Sequence, residues 1–253
     1  MPKVLAIANQ KGGVGKTTTA LSLGCGLSIL GKKVLVLDLD AHACGTVHLG
    51  FFPGTYKTSA LDIFLPNSEK QQDSLIYKKE TLRFDFVPAH IKLAEVEGNL
   101  KGSPGRGWLL KKWLLRYAKD YDFVVLDCPP HTGVILLNAL AAADLVIVPV
   151  QTDFLALHGL KLIFDTFRLL KIALKRNVNF KILATMYDIR TKASRRVFNL
   201  LRKKLGDKLF STVISIDTNF REASSEGKTI FEYAPKSRGA FQYLQLAKEI
   251  LRQ

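Results

Sequence analysis

Lys16 and Thr17 close a run of small residues, Asn9-Gln10-Lys11-Gly12-Gly13-Val14-Gly15, and this order of types suits it to holding a chain of phosphates. Glycines let successive backbone N–H groups, from Gly12, Gly13, Val14 and Gly15 into Lys16, Thr17 and Thr18 at a helix start, converge on phosphate oxygens. Lys16 then reaches the terminal phosphates, and the Thr17 hydroxyl can ligate Mg²⁺. The chemistry expected is binding and cleavage of a nucleoside triphosphate. Where the usual phosphate-loop pattern has a glycine, five residues before Gly15, this chain has Gln10, and a second lysine, Lys11, follows it. Lys11 cannot easily fold back on phosphates that Lys16 occupies, so it is expected to point outward, toward nucleotide held by another subunit.

Carboxylates to serve that nucleotide stand at the ends of two apolar runs. Lys33 to Leu37 delivers Asp38 and Asp40, and Phe123 to Leu126 delivers Asp127. Ligands of open parallel sheets bind at the carboxyl ends of strands. Alternation along an extended chain puts Asp38 and Asp40 on one side, where both can approach Mg²⁺ and the attacking water. For either, Asp38 before Asp40, the alternative is a carboxylate that merely caps the following turn. Asp127 is expected to hold a water or hydroxyl of the Mg²⁺ shell.

The elements that must position these groups read as a doubly wound, mostly parallel α/β sheet with helices on both faces, in a single domain over residues 1–253. Val4–Ala8, Leu145–Pro149 and Phe180–Thr185 complete the buried strands. Ala20 to Leu30 carries a helical apolar stripe that Gly31 ends. Further expectations are a short helix at Ser59–Phe64, a polar linker at Pro66–Asp73, an alternating strand at Leu82–Val87 and a loop at Gly98–Gly107. Helices are expected at Trp108–Lys119, with Lys111, Lys112 and Arg116 outward and Trp108 and Trp113 packing, and at Leu157–Lys175. The last helix, Gly239–Gln253, offers Phe241, Leu244, Leu246, Ala247 and Leu251 for packing. Cys25, Cys44 and Cys128 have no metal-ligand spacing and read as small core residues. No apolar run reaches the ~18 residues of a membrane span and no signal peptide is visible, so a cytoplasmic protein is expected.

The net charge is +15, unevenly spread. Residues 1–150 hold 17 Lys/Arg and 13 Asp/Glu, net +4, and residues 151–253 hold 20 and 9, net +11. Clustered positive charge favours polyanions through counterion release. Nucleic acid is the expected polyanion, with acidic lipid as the rival. From Arg190 to Leu205, Ala193, Val197, Leu200, Leu201 and Leu205 form an apolar stripe, with Arg195, Arg196, Arg202 and Lys203 opposite. A basic helix face can be merely solvated. Further cations in this region, with few acids between them, favour DNA, and little aromatic interleaving points to phosphate contact without base readout.

Lys11-Gly-Gly-Val-Gly-Lys16-Thr-Thr resembles the deviant Walker A loop of the ParA/MinD ATPases. Asp127-Cys128-Pro129-Pro130 and the stretch from Glu222-Ala223-Ser224 through Gly227-Lys228 to Pro235-Lys236-Ser237-Arg238-Gly239-Ala240 are similar to Soj-like ParA proteins. The resemblance covers nearly the whole chain and implies a partition ATPase, slow in hydrolysis, that binds ATP and Mg²⁺, forms a homodimer across the nucleotide and in that state holds nonspecific double-stranded DNA. A ParB-like adaptor and association with the nucleoid are implied with it. Lys11, Lys16 and Asp40 are then the groups tied to hydrolysis; Met186, Ser215 and Asp217 lie near the base, and Arg190 and Arg221 contact DNA. The family usually reads Asp-x-Asp-Pro-Gln where this chain has Asp38-Leu39-Asp40-Ala41-His42. Losing the proline loosens the loop. His42 is either a general base or a loop residue without chemical duty, and the hydrolysis rate is the property this change affects. A proline is also common where Ser215 stands. The rival readings are a MinD-like membrane positioning switch and a positioning ATPase for a protein cargo. No cationic amphipathic tail of the MinD type follows the last helix, so no membrane contact is expected. Electron transfer like that of the nitrogenase iron protein is disfavoured by the absence of the cysteines its cluster needs.

Overall fold

A computed structural model describes residues 1–65, 74–100, 105–174 and 177–253. The linker expected at Pro66–Asp73 lies outside them, as do Ser103 and Pro104 of the expected loop and Lys175 of the expected helix.

Seven short apolar runs form one sheet: β1 (Lys3–Ile7), β2 (Val34–Asp38), β3 (Asp85–Val87), β4 (Phe123–Asp127), β5 (Leu145–Gln151), β6 (Phe180–Tyr187) and β7 (Leu209–Ser215). Their order is β3-β2-β4-β1-β5-β6-β7, and every neighbouring pair is parallel. Strands buried on both faces need no polar alternation, which is why they read as unbroken Val, Ile and Leu. Along β1 and into the next residue, Val4, Ala6 and Ala8 join one apolar layer and Leu5 and Ile7 the other. The sheet is therefore doubly wound, as expected. In the first layer it is covered by α3 (Leu93–Asn99), α4 (Leu109–Tyr117), α5 (Val134–Ala142), α6 (Ala156–Leu174) and α7 (Lys192–Leu205), and in the second by α1 (Lys16–Ile29) and α10 (Arg238–Leu251). Short helices α2 (Cys44–His48), α8 (Asn219–Ser225) and α9 (Ile230–Tyr233) fill connections.

Parallel strands put all their carboxyl ends at one edge. Register then sets Asp38 opposite Asp127 and Asp127 opposite Ile7, the residue from which the glycine loop departs. Helix α1 begins at Lys16, earlier than the apolar pattern suggested, and is buried on nearly all sides from Thr19 to Leu27 instead of along a stripe. Two glycines allow this: a Cβ on Gly24 would come 2.6 Å from Val36 of the sheet, and one on Gly26 would come 3.4 Å from the Tyr243 carbonyl of α10. The helix is wedged between both neighbours.

Other expectations need correction. Phe241 and Leu251 of α10 are exposed, and Ala240, Tyr243, Leu246, Ala247 and Ile250 form its packed face, its phase pinned by a 2.9 Å bond between the Tyr243 and Thr19 hydroxyls. The strand expected at Leu82–Val87 is only β3, because Leu82 donates to the Lys79 carbonyl in a turn. Helix α3 occupies a stretch given no element and runs past Gly98, with Leu93 and Val96 on its buried side. Cys25 and Cys128 are buried, but Cys44 is exposed at the start of α2. On α7, Ala193 is exposed, and Ser194 turns inward, where its hydroxyl meets that of Thr152 at 2.6 Å and accepts from the Asp188 N–H. Among the described residues no helix is long and apolar enough to cross a membrane.

Candidate active site

Between β1 and α1 the loop is held open by polar side chains from neighbouring strand ends. Asn9 accepts from the Lys11 N–H at 3.0 Å and donates to the Pro149 carbonyl at 2.7 Å, while Thr185 of β6 donates to the Val14 carbonyl at 2.9 Å. Gly13 (φ 72°) and Gly15 (φ 89°) take the left-handed conformation that glycine adopts without strain. Added Cβ atoms on Gly12, Gly13 or Gly15 would meet nothing within 4 Å, so the concave side is open. From Gly12 to Thr18 no backbone N–H finds an acceptor among the described residues. Lys16, 8% exposed, makes no ion pair among them either. A buried ammonium beside unpaired N–H groups at a helix N-terminus is an anion site, and Val14, Thr17 and Thr18 lie within it as expected.

Lys11 differs from expectation. Its ammonium does not point away from the chain but sits 2.6 Å from Asp153 Oδ2, just beyond β5. The Asp153 carboxylate thus takes the Lys11 charge within the chain. Asp153 was missed from sequence, because Gln151 and Thr152 separate it from the apolar run that ends at Val150, whereas Asp38 and Asp127 follow theirs directly.

The three expected carboxylates are gathered at the strand ends but are not equivalent. Asp38 accepts from the Asp40 N–H (3.1 Å) through Oδ1 and from both the N–H and hydroxyl of Thr46 (2.8 Å each) through Oδ2. It thus does what the turn-capping alternative described, and burial raises its pKa to about 6, against those hydrogen bonds. Asp40, 8% exposed, accepts through Oδ1 from the His42 N–H (3.0 Å) and the His42 ring Nδ1 (2.9 Å). Asp127 is fully enclosed, and neither of its oxygens makes a hydrogen bond of normal length and angle. Burial and the neighbouring Asp38 charge push its pKa well up, with Thr17 and Lys16 pulling the other way. An unpartnered buried carboxylate beside a threonine hydroxyl is the donor set a Mg²⁺ shell needs. Among the described residues no three acidic, imidazole or thiol groups converge to cage a metal. That suits an ion held by one or two side chains together with substrate phosphates.

The residues expected near the base are less engaged with one another. Met186 turns left-handed (φ 50°) at the end of β6, beside a cavity of about 520 Å³ lined by Tyr187, Asp188, Arg190, Ser215, Asp217 and Arg238. Asp217 is already a clamp, accepting from Asn219 N (3.1 Å), Asn219 Nδ2 (2.7 Å) and Gly239 N (2.9 Å). On the basic face Arg196 and Lys203 project to solvent from α7 and Arg221 from α8, while Arg195, also exposed, donates through Nη1 to the Ile189 carbonyl. Arg190, in contrast, is locked in a two-pronged pair with Asp188, Nε to Oδ1 and Nη2 to Oδ2 at 2.9 Å each.

A strand, an open glycine loop, a helix, and a second strand ending in a free carboxylate define a P-loop nucleoside triphosphatase. A family profile described as an AAA domain matches residues 2–182. The chain is 39% identical over 252 residues to the sporulation initiation inhibitor protein Soj of Bacillus subtilis, covering 99% of this chain and 98% of that one. It is 36% identical over 252 residues to the chromosome partitioning protein ParA of Caulobacter vibrioides, covering 98% and 94%. A Mycobacterium smegmatis structure described as cobyrinic acid a,c-diamide synthase with bound ADP and magnesium superposes with a TM-score of 0.82 at 34% identity, covering 100% and 95%. The chain belongs to the Soj/ParA family, and it is a partition-type ATPase.

Proposed function

We propose that this chain works as one unit, that ATP and Mg²⁺ fill the loop, that two copies then pair face to face across the nucleotide, and that the pair holds double-stranded DNA of any sequence until hydrolysis releases it. The N–H groups of Gly12 to Thr18 and the Lys16 ammonium bind and orient the phosphates; Thr17 and Asp127 hold the metal, with Asp38 behind them. Bound Mg²⁺ supplies positive charge that stabilises the terminal phosphoryl group as it is transferred. Asp40 positions the water. Lys11 leaves Asp153 and places its charge on the partner's phosphates, so a complete site needs two chains. Arg195, Arg196, Lys203 and Arg221, joined by Arg190 when Asp188 lets it go, neutralise DNA phosphates. A ParB-like adaptor and residence on the nucleoid accompany that role.

The observation that carries this reading is the second loop lysine, which phosphates on Lys16 do not need and which only an internal carboxylate restrains. The Caulobacter vibrioides relative named a chromosome partitioning protein, matched over 98% of this chain, supports partition. The test is sedimentation of the protein with duplex DNA and, separately, with anionic liposomes, each with ATP, ADP or neither. ATP-dependent recovery with DNA alone is expected. Recovery with liposomes alone would make it a membrane positioning switch, and recovery with neither would point to a protein cargo.

A further inference from the structure

The loop after β2 continues through Ala41-His42, and there the structure pairs His42 with Asp40. Two donors from one residue meet on one oxygen: the His42 N–H at 3.0 Å and its ring Nδ1 at 2.9 Å both lie on Asp40 Oδ1. The backbone bond alone is an ordinary Asx turn, which leaves the carboxylate free to rock about its last torsion. A second donor on the same oxygen removes that freedom. Asp40 Oδ2 has no hydrogen-bond partner among the described residues, although the residue is 8% exposed. The imidazole itself is 70% exposed, so packing does not hold it where it is. The turn is tight as well, with the Ala43 N–H on the Asp40 carbonyl at 2.8 Å and Ala43 left-handed at φ 52°.

We infer that His42 is a positioning residue, whose Nδ1–H fixes the Asp40 carboxylate so that Oδ2 is the oxygen offered to the attacking water. This rests on the reading of Asp40 as the water-positioning group. The imidazole restores by hydrogen bonding the order that a proline at position 41 would give by fixing φ. With Nδ1 committed to Asp40, the ring's remaining lone pair is on Nε2, directed away from that carboxylate.

The inference fixes a tautomer, which can be read without turnover. At about pH 8.5, well above the ordinary histidine pKa of roughly 6.5, free imidazole side chains favour Nε2–H. In nucleotide-free protein labelled with ¹⁵N-histidine, long-range proton–nitrogen spectra should show His42 as Nδ1–H, assigned by its loss in His42→Asn, and reverting to Nε2–H in Asp40→Ala. In turnover, His42→Leu should lower kcat tenfold or more with ATP affinity within about twofold. His42→Asn should recover most of that loss, because its amide nitrogen stands where Nδ1 stood. An Nε2–H tautomer in the parent, an unchanged kcat in His42→Leu, or equal losses in Leu and Asn would each overturn the inference. Asp40→Asn, assayed beside them, separates the two layers: parental turnover there refutes the role of Asp40 itself, whereas a dead Asp40→Asn with an unimpaired His42→Leu refutes only that of His42.

Discussion

Lys11 Nζ lies 2.6 Å from Asp153 Oδ2, tying the first lysine of the glycine loop to the far end of β5 within one chain. The lysine side chain is 23% exposed and the aspartate 35%, so the pair is partly screened and easily opened. In the proposed assembly this charge is kept at home until phosphates of the partner compete for it. Assembly is then opposed by whatever this ion pair is worth.

Asp153→Asn should therefore favour the ATP-bound dimer. A partly exposed ion pair contributes roughly 0.5–1 kcal/mol, and each of the two chains gives one up, which corresponds to a dimer dissociation constant about five- to thirtyfold lower. Analytical ultracentrifugation with ATP and Mg²⁺ would show this, and a weaker dimer in the variant would contradict it.

Removing the buried loop charge should act one step earlier. Lys16→Ala is expected to weaken ATP binding by at least about a hundredfold in an equilibrium titration, since a charge-assisted phosphate contact in a dry site contributes about 3 kcal/mol or more. Retained affinity would refute the loop assignment.

The unpartnered carboxylate at Asp127 makes a prediction about stability. Asp38 and Asp127 both have raised folded pKa values, that of Asp38 about 6, so between about pH 4 and pH 6 the folded state binds more protons than the unfolded one. Stability of the nucleotide-free protein should thus fall as pH rises through 6. Asp127→Asn should flatten that fall and stabilise the nucleotide-free protein at pH 7.5 by roughly 1–3 kcal/mol, while abolishing the extra stability that Mg²⁺ and ATP confer. Thermal melts would show the opposite order if Asp127 were an ordinary structural carboxylate.

Most of this architecture was legible in the chain. Runs such as Val34–Leu37 and Phe123–Leu126 are apolar without alternation because both faces of β2 and β4 are covered, and the glycine loop names its own ligand. What was not legible depends on neighbours distant in sequence. Lys11 finds Asp153 across 142 positions, and the face of α10 is chosen by Thr19 holding Tyr243 across 224. Apolar spacing alone cannot tell Phe241 from Tyr243 there. Asp38 and Asp127 look alike as strand-end acids, but Thr46, brought in by α2, and the Asp40 N–H engage the first, while the second has no hydrogen-bond partner of normal geometry among the described residues.

Arg190 gives a test of the basic face. Its pair with Asp188 holds that carboxyl down at about pKa 2, takes up Nε and Nη2 and offsets the charge that the guanidinium would bring to a phosphate. Asp188→Asn should raise DNA affinity about two- to tenfold in the ATP state, whereas Arg196→Ala and Arg221→Ala should each lower it and reduce the slope of log affinity against log salt by about one. An unchanged slope in the arginine variants would remove them from the interface.

The account stands on Lys11 joining two chains through ATP and on the paired basic faces then holding DNA. Fluorescence anisotropy of a labelled duplex, titrated at several salt concentrations with ATP and with ADP, for the parent and for Lys11→Ala, tests both together. Effective concentration predicts that the parent binds at least tenfold more tightly with ATP than with ADP, steeply salt-dependent and alike for unrelated sequences, and that Lys11→Ala binds equally weakly with either nucleotide. Tight ATP-dependent DNA binding by Lys11→Ala, or a parent indifferent to nucleotide, would contradict it.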